Sequence, residues 1–229
     1  MLSKIRAVAF DLDNTLWDAE PVIERAEVRL LEWLKEHYPR IPERVSLQEM
    51  RAARQQLAAE EPHRAHDLTY LRTAALARHA RECGYDESVA ELAFEVFIAA
   101  RHELEVFEDV PVALERLRER YVLGSLTNGN ADLRRIGLSD YFMVSLSPRD
   151  TGVAKPHPAG FARLAEELGV RPQEILYVGD DPFLDVEGAR SAGLRTAWMN
   201  RRGAPWPADL AEADLVVTDC RELLRRLEV

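Results

Sequence analysis

Residues 5–15 read Ile5-Arg-Ala-Val-Ala-Phe10-Asp11-Leu-Asp13-Asn-Thr15. A short, mostly apolar run stops abruptly at two acids, the pattern of a central strand buried on both faces. In open α/β sheets, ligand sites form beyond the carboxyl ends of the strands. Two carboxylates placed two residues apart at such an end repel one another unless something positive lies between them. A hard divalent cation meets that need, and Mg2+ is commonly held by one or two carboxylates together with a substrate phosphate. Taken alone, the segment also fits a loop that turns on Asp and Asn. The choice depends on what the remainder of the chain adds.

Three other segments add to it. Ile175-Leu-Tyr-Val178 is a second apolar strand, and it runs into Gly179-Asp180-Asp181-Pro182-Phe-Leu-Asp185. Capping of the next helix accounts for Asp181 or Asp185, but hardly for all three acids. Thr127-Asn128-Gly-Asn130 follows the strand expected at 121–126 and offers a hydroxyl and backbone N–H groups suited to phosphate oxygens. Alone it would pass for a plain turn. Lys155, in Gly152-Val-Ala-Lys155-Pro-His-Pro158, stands just before a helix that a proline would open, where anions are already favoured.

The spacing between these segments sets the architecture. From about 18 to 106 the pattern is helical. Val22, Ala26, Leu30 and Trp33 form a stripe, Ser46-Leu-Gln-Glu49 is a capping box, Leu68 to Ala75 mark a third helix, and Asp86 is placed to cap a fourth. Beyond 111, strands and helices alternate, which predicts a parallel sheet covered on both faces. The expectation is an α/β core built from residues 1–17 and 107–229, Rossmann-like, with an inserted helical bundle over 18–106. Residues 200–213 read as a surface loop.

Composition narrows the class of function. The chain has 229 residues, and 30 Lys and Arg against 40 Asp and Glu leave a formal charge of −10. That balance argues against nucleic acid or an anionic membrane surface as partner. No apolar run is long enough to predict a membrane span, and the N-terminus makes a poor signal peptide. Cys83 and Cys220 form no CxxC and no zinc pattern, so both are read as reduced thiols and the protein as cytoplasmic.

In this order the four segments resemble the haloacid dehalogenase (HAD) superfamily, in the group with a helical-bundle cap. Asp11-Leu-Asp13-Asn-Thr15 is similar to its first motif, Thr127 to the second, Lys155 to the third, and Asp180 with Asp185 to the fourth. Asp18-Ala-Glu-Pro21-Val-Ile, Glu61-Pro-His-Arg-Ala-His66-Asp67, Thr127-Asn-Gly-Asn130 and Gly179-Asp-Asp181 further resemble the bacterial branch that acts on 5-amino-6-(5-phospho-D-ribitylamino)uracil in riboflavin biosynthesis, and also on flavin mononucleotide (FMN). The resemblance implies a Mg2+-dependent phosphatase of a small phosphorylated metabolite. Asp11 is then the nucleophile and Asp13 the acid–base group. Lys155 offsets charge, and Thr127, Asn128 and Lys155 hold the phosphoryl group. Asp11, Asp13 (through its main-chain carbonyl), Asp180 and Asp185 form the metal site, with the choice between Asp181 and Asp185 as the closer partner left open.

Other readings stay beside it. Dehalogenases of the same superfamily lack the second acid of the first motif, so Asp13 favours ester cleavage. Lys35 is the sole lysine between 16 and 106 and is read as solvated surface rather than as the Schiff base of a phosphonate hydrolase. A phosphatase or mutase of sugar phosphates or nucleotides, a non-catalytic phosphate-binding regulator and a phospho-accepting receiver are the alternatives. The six histidines show no metal spacing. His66 and Asp67 serve either substrate contact or a helix start. Trp17 is read as packing near the connection to the helical segment rather than stacking on substrate.

Overall fold

The computed structural model describes residues 4–229, which divide into two compact units, 4–18 with 105–229 and 19–104.

The helical unit consists of α1 (Ala19–His37), α2 (Leu47–Glu60), α3 (Leu68–Glu82) and α4 (Val89–His102). The apolar stripe of α1 buries Val22, Ala26, Leu30 and Leu34. Ala26, Leu30 and Leu34 close with Phe97, Ala93 and Ile98 of α4, and with Met50, Leu76 and Ala80, into one core. The capping box forms as the spacing predicts: Ser46 N–H donates to Glu49 Oε2 at 2.7 Å, and Glu49 N–H donates to Ser46 Oγ at 3.3 Å. Asp67 proves to be a helix start, accepting from Tyr70 N–H at 3.0 Å. Asp86 does not cap α4 directly. Its carboxylate accepts from Ser88 N–H at 2.9 Å, a local turn that completes itself two residues on, and the helix begins after Ser88.

Inside this unit one carboxylate serves three guanidinium groups. Glu27 is buried and accepts from Arg51 Nε at 2.7 Å, Arg54 Nη2 at 2.9 Å and Arg72 Nη1 at 3.4 Å. Burial alone would raise the Glu27 pKa, but the three arginines outweigh it and hold the carboxyl below its usual range. Arg72 also lies 3.5 Å over the Phe97 ring, and burial, with Arg54 beside it, brings its pKa down to about 9.

The second unit is a six-stranded parallel sheet in the order β3-β2-β1-β4-β5-β6. Its strands are β1 (Ala7–Phe10), β2 (Val122–Leu126), β3 (Val144–Leu146), β4 (Ile175–Gly179), β5 (Arg195–Met199) and β6 (Leu215–Val217). Between and after them run α5 (Val110–Arg118), α6 (Leu133–Ile136), α7 (Pro148–Thr151), α8 (Pro158–Leu168), α9 (Gly188–Ser191) and α10 (Cys220–Leu227). Every residue of β1 and β4 is buried, as a doubly covered strand requires. Ala7, Ala9, Ile175 and Tyr177 face Phe161, Leu164 and Leu168 of α8, and the alternate residues Val8, Phe10, Leu176 and Val178 point to the opposite face.

Two details depart from expectation. The helix expected near 184–192 is a wide, π-helical turn over Pro182–Glu187 followed by α9. The short α7 has its own box, with Ser147 N–H on Asp150 Oδ2 at 2.8 Å. No described helix is long and apolar enough to cross a membrane, and Cys83 and Cys220 are both buried and free.

Replacing Glu27 by Gln leaves three positive side chains around a neutral partner. Denaturant unfolding should show the helical unit destabilised by about 3 kcal/mol at neutral pH. Because the folded-state pKa is depressed, this contribution is present above the unfolded-state value and lost as pH falls through the lowered one. The gap between wild type and Glu27→Gln should therefore narrow in acid.

Candidate active site

Strand register brings the acidic segments together. Phe10 pairs with Val178 on one side and with Ser125 on the other. Asp11 therefore emerges level with Gly179 and Leu126, and its N–H donates to Val178 O at 2.8 Å. Thr127 leaves the adjacent strand end, with its own N–H on Leu146 O at 3.0 Å. Carboxylate oxygens of Asp11, Asp180 and Asp185 all lie within 4.8 Å of one another.

Lys155 stands in the middle of this charge. Its Nζ donates to Asp11 Oδ1 and to Asp185 Oδ1, both at 2.6 Å, and to the Tyr177 hydroxyl at 3.1 Å. All four groups are buried. Burial works to lower the Lys155 pKa, but the Asp11 and Asp185 charges prevail and hold it well above the ordinary lysine value. Burial pushes the Asp11 carboxyl up, Lys155 opposes, and Asp185 and Asp180 reinforce the rise. Thr15 Oγ1 sits 3.3 Å from Asp11 Oδ2 and 3.5 Å from Asp180 Oδ1. Burial, with Asp185 next in weight, pushes Asp180 up to about 7.

The fourth segment sorts its acids by role. Asp181 is the helix cap: Oδ1 accepts from Phe183 and Leu184 N–H, both at 2.8 Å. Asp185 joins the site, with one oxygen on Lys155 and the other accepting from Asp181 N–H at 3.0 Å. Its carboxyl group lies where a Cβ on Gly179 would be, so no larger residue fits at that strand end.

The remaining expected residues sit around this centre. Thr127 Oγ1 accepts from Gly129 N–H at 2.9 Å, which closes the turn after β2. Asn128 is tied to Lys155 itself: Lys155 N–H donates to Oδ1 at 2.7 Å, and Nδ2 donates to Lys155 O at 3.0 Å. Its side chain thus braces the lysine backbone. Asp13 is half-buried, and its carboxylate is not one of the three acids grouped around Lys155. Lys35 is exposed, as read from its helix.

Three supporting residues were not anticipated. Tyr177, on β4, donates from its hydroxyl to Leu126 O at 2.5 Å while receiving Lys155. A tyrosine inside an otherwise aliphatic strand was a usable signal, because a buried hydroxyl needs partners. Arg201 joins Thr15 O, through Nε at 2.9 Å, to the Asp109 carboxylate, through Nη1 at 3.1 Å and Nη2 at 2.9 Å. Nothing in the chain signals this, since 186 residues separate Arg201 from Thr15. Trp198 Nε1 donates to Asp180 O at 2.8 Å.

Known proteins are similar to this chain over most or all of its length. The 5-amino-6-(5-phospho-D-ribitylamino)uracil phosphatase YigB of Escherichia coli (strain K12) is 31% identical over 100% of this chain and 93% of its own. The crystal structure of 2-haloacid dehalogenase from Pseudomonas syringae pv. Tomato DC3000 superposes with a TM-score of 0.93 at 38% identity, covering 98% of each chain. That of a HAD phosphatase from Thermococcus onnurineus gives 0.66 at 29% identity, covering 97% of this chain and 98% of its own. The family model for haloacid dehalogenase-like hydrolases matches residues 5–193. With Asp11, Lys155, Asp180 and Asp185 gathered beside the ends of one parallel sheet, the chain belongs to the haloacid dehalogenase-like hydrolase family.

Proposed function

We propose that this chain is a Mg2+-dependent phosphomonoesterase that cleaves a small phosphorylated metabolite through an aspartyl-phosphate on Asp11. The observation that carries the reading is the pairing of a lysine-held nucleophile with a second carboxylate two residues on: Lys155 grips Asp11 Oδ1, while Asp13 stands outside the Asp11–Asp180–Asp185 group. An Asp11 oxygen attacks phosphorus as the ester P–O bond breaks, and the bonding pair leaves on the alkoxide oxygen, which takes a proton from Asp13. Water then attacks the same phosphorus and gives a proton to Asp13, and the acyl phosphate P–O bond breaks to restore the Asp11 carboxylate. Lys155 keeps Asp11 oriented and offsets the negative charge that gathers on the phosphoryl oxygens. Thr127 lies beside the same strand end to hold the phosphoryl group, and Asn128 acts through the Lys155 backbone.

The donor set suits a hard cation. The grouped donors are all carboxylate oxygens, and three carboxylates face one ammonium; burial, with the Asp185 charge next, pushes Asp180 up to about 7. Asp11 and Asp180 would hold Mg2+ through carboxylates and Asp13 through its main-chain carbonyl, with Asp185 beside them. When bound, Mg2+ supplies positive charge against the phosphoryl oxygens.

The substrate proposed first is 5-amino-6-(5-phospho-D-ribitylamino)uracil, supported by the full-length likeness to YigB, with FMN next. The identity to a 2-haloacid dehalogenase favours a second reading, halide displacement by Asp11. A halide leaves without a proton, so that chemistry gives Asp13 nothing to do.

Purified protein assayed with Mg2+ against these two phosphates, sugar phosphates, nucleoside monophosphates and 2-chloropropionate should release phosphate and no chloride. Asp11→Asn should reduce turnover by at least ~10³-fold, and a chelator should abolish it reversibly. Chloride release without phosphate release would select the dehalogenase reading, and preference for sugar phosphates would remove the flavin-pathway substrate alone.

Asp180 supports a separate measurement. Its folded pKa, about 7, is raised above the ordinary 3.8, so its charge opposes folding above pH 7 in cation-free protein, and that cost disappears as pH falls below about 4. Without divalent cations, Asp180→Asn should melt several degrees above wild type at pH 8, with the difference shrinking toward pH 5. Mg2+ should raise the melting temperature of wild type and not of the variant.

A further inference from the structure

The segment after the nucleophile folds back on itself. Leu16 N–H reaches Leu12 O at 2.8 Å, Asn14 N–H reaches Trp17 O at 2.7 Å, and Asn14 adopts φ 63° to allow it. Leu16 O in turn receives Phe107 N–H at 2.9 Å. This closed turn delivers the Trp17 side chain, fully buried, back toward the residue four positions before it. The indole Nε1–H donates to Asp13 Oδ1 at 2.7 Å.

A buried indole N–H needs an acceptor, and any nearby carbonyl would satisfy it. Here the acceptor is the one carboxylate that proton transfer to a leaving group requires. The other oxygen, Oδ2, lies so close to Gly129 that a Cβ there would overlap it, and Thr127 Oγ1 is beside the same point. Asp13 therefore has one oxygen on the indole and one toward the turn that carries Thr127.

We propose that Trp17 is a positioning residue for the acid–base step: its N–H holds Asp13 Oδ1, which orients Oδ2 toward the Thr127–Gly129 turn as the oxygen that gives the proton to the departing alkoxide. The indole is a donor only, so it can neither receive that proton nor exchange it. Because its bond rests on Oδ1, the carboxylic proton is directed to Oδ2, beside the turn that binds phosphoryl oxygens. During ester cleavage the proton moves from Oδ2 to the leaving oxygen as the P–O bond breaks, and Asp13 is left ionised with the indole bond intact. In the second step water returns a proton to Oδ2. The assignment rests on the phosphomonoesterase reading, and it gives Trp17 a task apart from filling space.

The dependence of rate on leaving group tests it. An ester whose leaving group is a weak base departs with little help from an acid, whereas an alkyl phosphate depends on it. The kcat/KM values for 2,4-dinitrophenyl, p-nitrophenyl, phenyl and simple alkyl phosphates would be measured for wild type, Trp17→Phe, and a protein with benzothienylalanine at position 17. The last replaces N–H by sulfur at nearly constant shape, so it reports on the hydrogen bond where Trp17→Phe fails to fold. In both altered proteins the loss should grow along the series, at least ~10-fold greater for the alkyl ester than for the dinitrophenyl ester. A uniform loss across the series, or full activity toward the alkyl ester in the benzothienylalanine protein, overturns the assignment of Trp17 and leaves the phosphomonoesterase reading standing. A wild-type protein that cleaves none of these esters overturns that reading itself.

Discussion

A buried ammonium group between two buried carboxylates organises the site. Lys155 Nζ lies 2.6 Å from both Asp11 and Asp185, in a region where a lone carboxylate would be driven to take up a proton. Removing any one of the three would leave charge unpaired where water does not reach. The lysine is in turn held from several directions, by Tyr177 at its tip and by Asn128 at its backbone. This bracing lets one flexible side chain present its charge at a defined place.

The sheet supplies the frame on which that interaction rests. In a parallel sheet all strand ends of one kind lie along one edge, so segments far apart in the chain reach the same place without special loops. The pairing of Phe10 with Val178 and Ser125 aligns three such ends, and small residues follow where space is tightest: Gly179 beneath the Asp185 carboxyl, Gly129 against Asp13. Arg201 adds a tie from beyond β5, joining the Thr15 carbonyl to Asp109. The loop from Asp11 to Thr15 is thereby fastened at both its backbone and its side chains.

Likeness within the family leaves two chemistries in view, because an aspartate nucleophile as proposed for Asp11 could attack either phosphorus or a halogen-bearing carbon. What separates them is the need for a proton at the leaving atom. In this chain the Asp13 carboxylate accepts from an indole N–H, an arrangement that has a purpose under the proposed ester cleavage and none under halide loss. The overall resemblance to a dehalogenase speaks for the fold, and the proposed reaction rests on Asp13.

Much of this was legible from the chain. Apolar runs ending in acids marked β1 and β4, helical spacing marked α1 to α4, and the capping box at Ser46 and Glu49 formed as written. These signals are local, since they depend on neighbours within a turn or a strand. The division of labour between Asp181 and Asp185 was not legible. Both stand beside the same strand end, and only the wide turn at Pro182–Glu187 shows which carboxylate points back to Lys155. Tyr177, Arg201 and the Trp17–Asp13 bond were likewise decided by the folded chain. Sequence alone determined which chemical groups are present and in which local elements. The choice of partners came from tertiary structure, because a hydrogen bond depends on distance and direction in space, and separation along the chain carries neither.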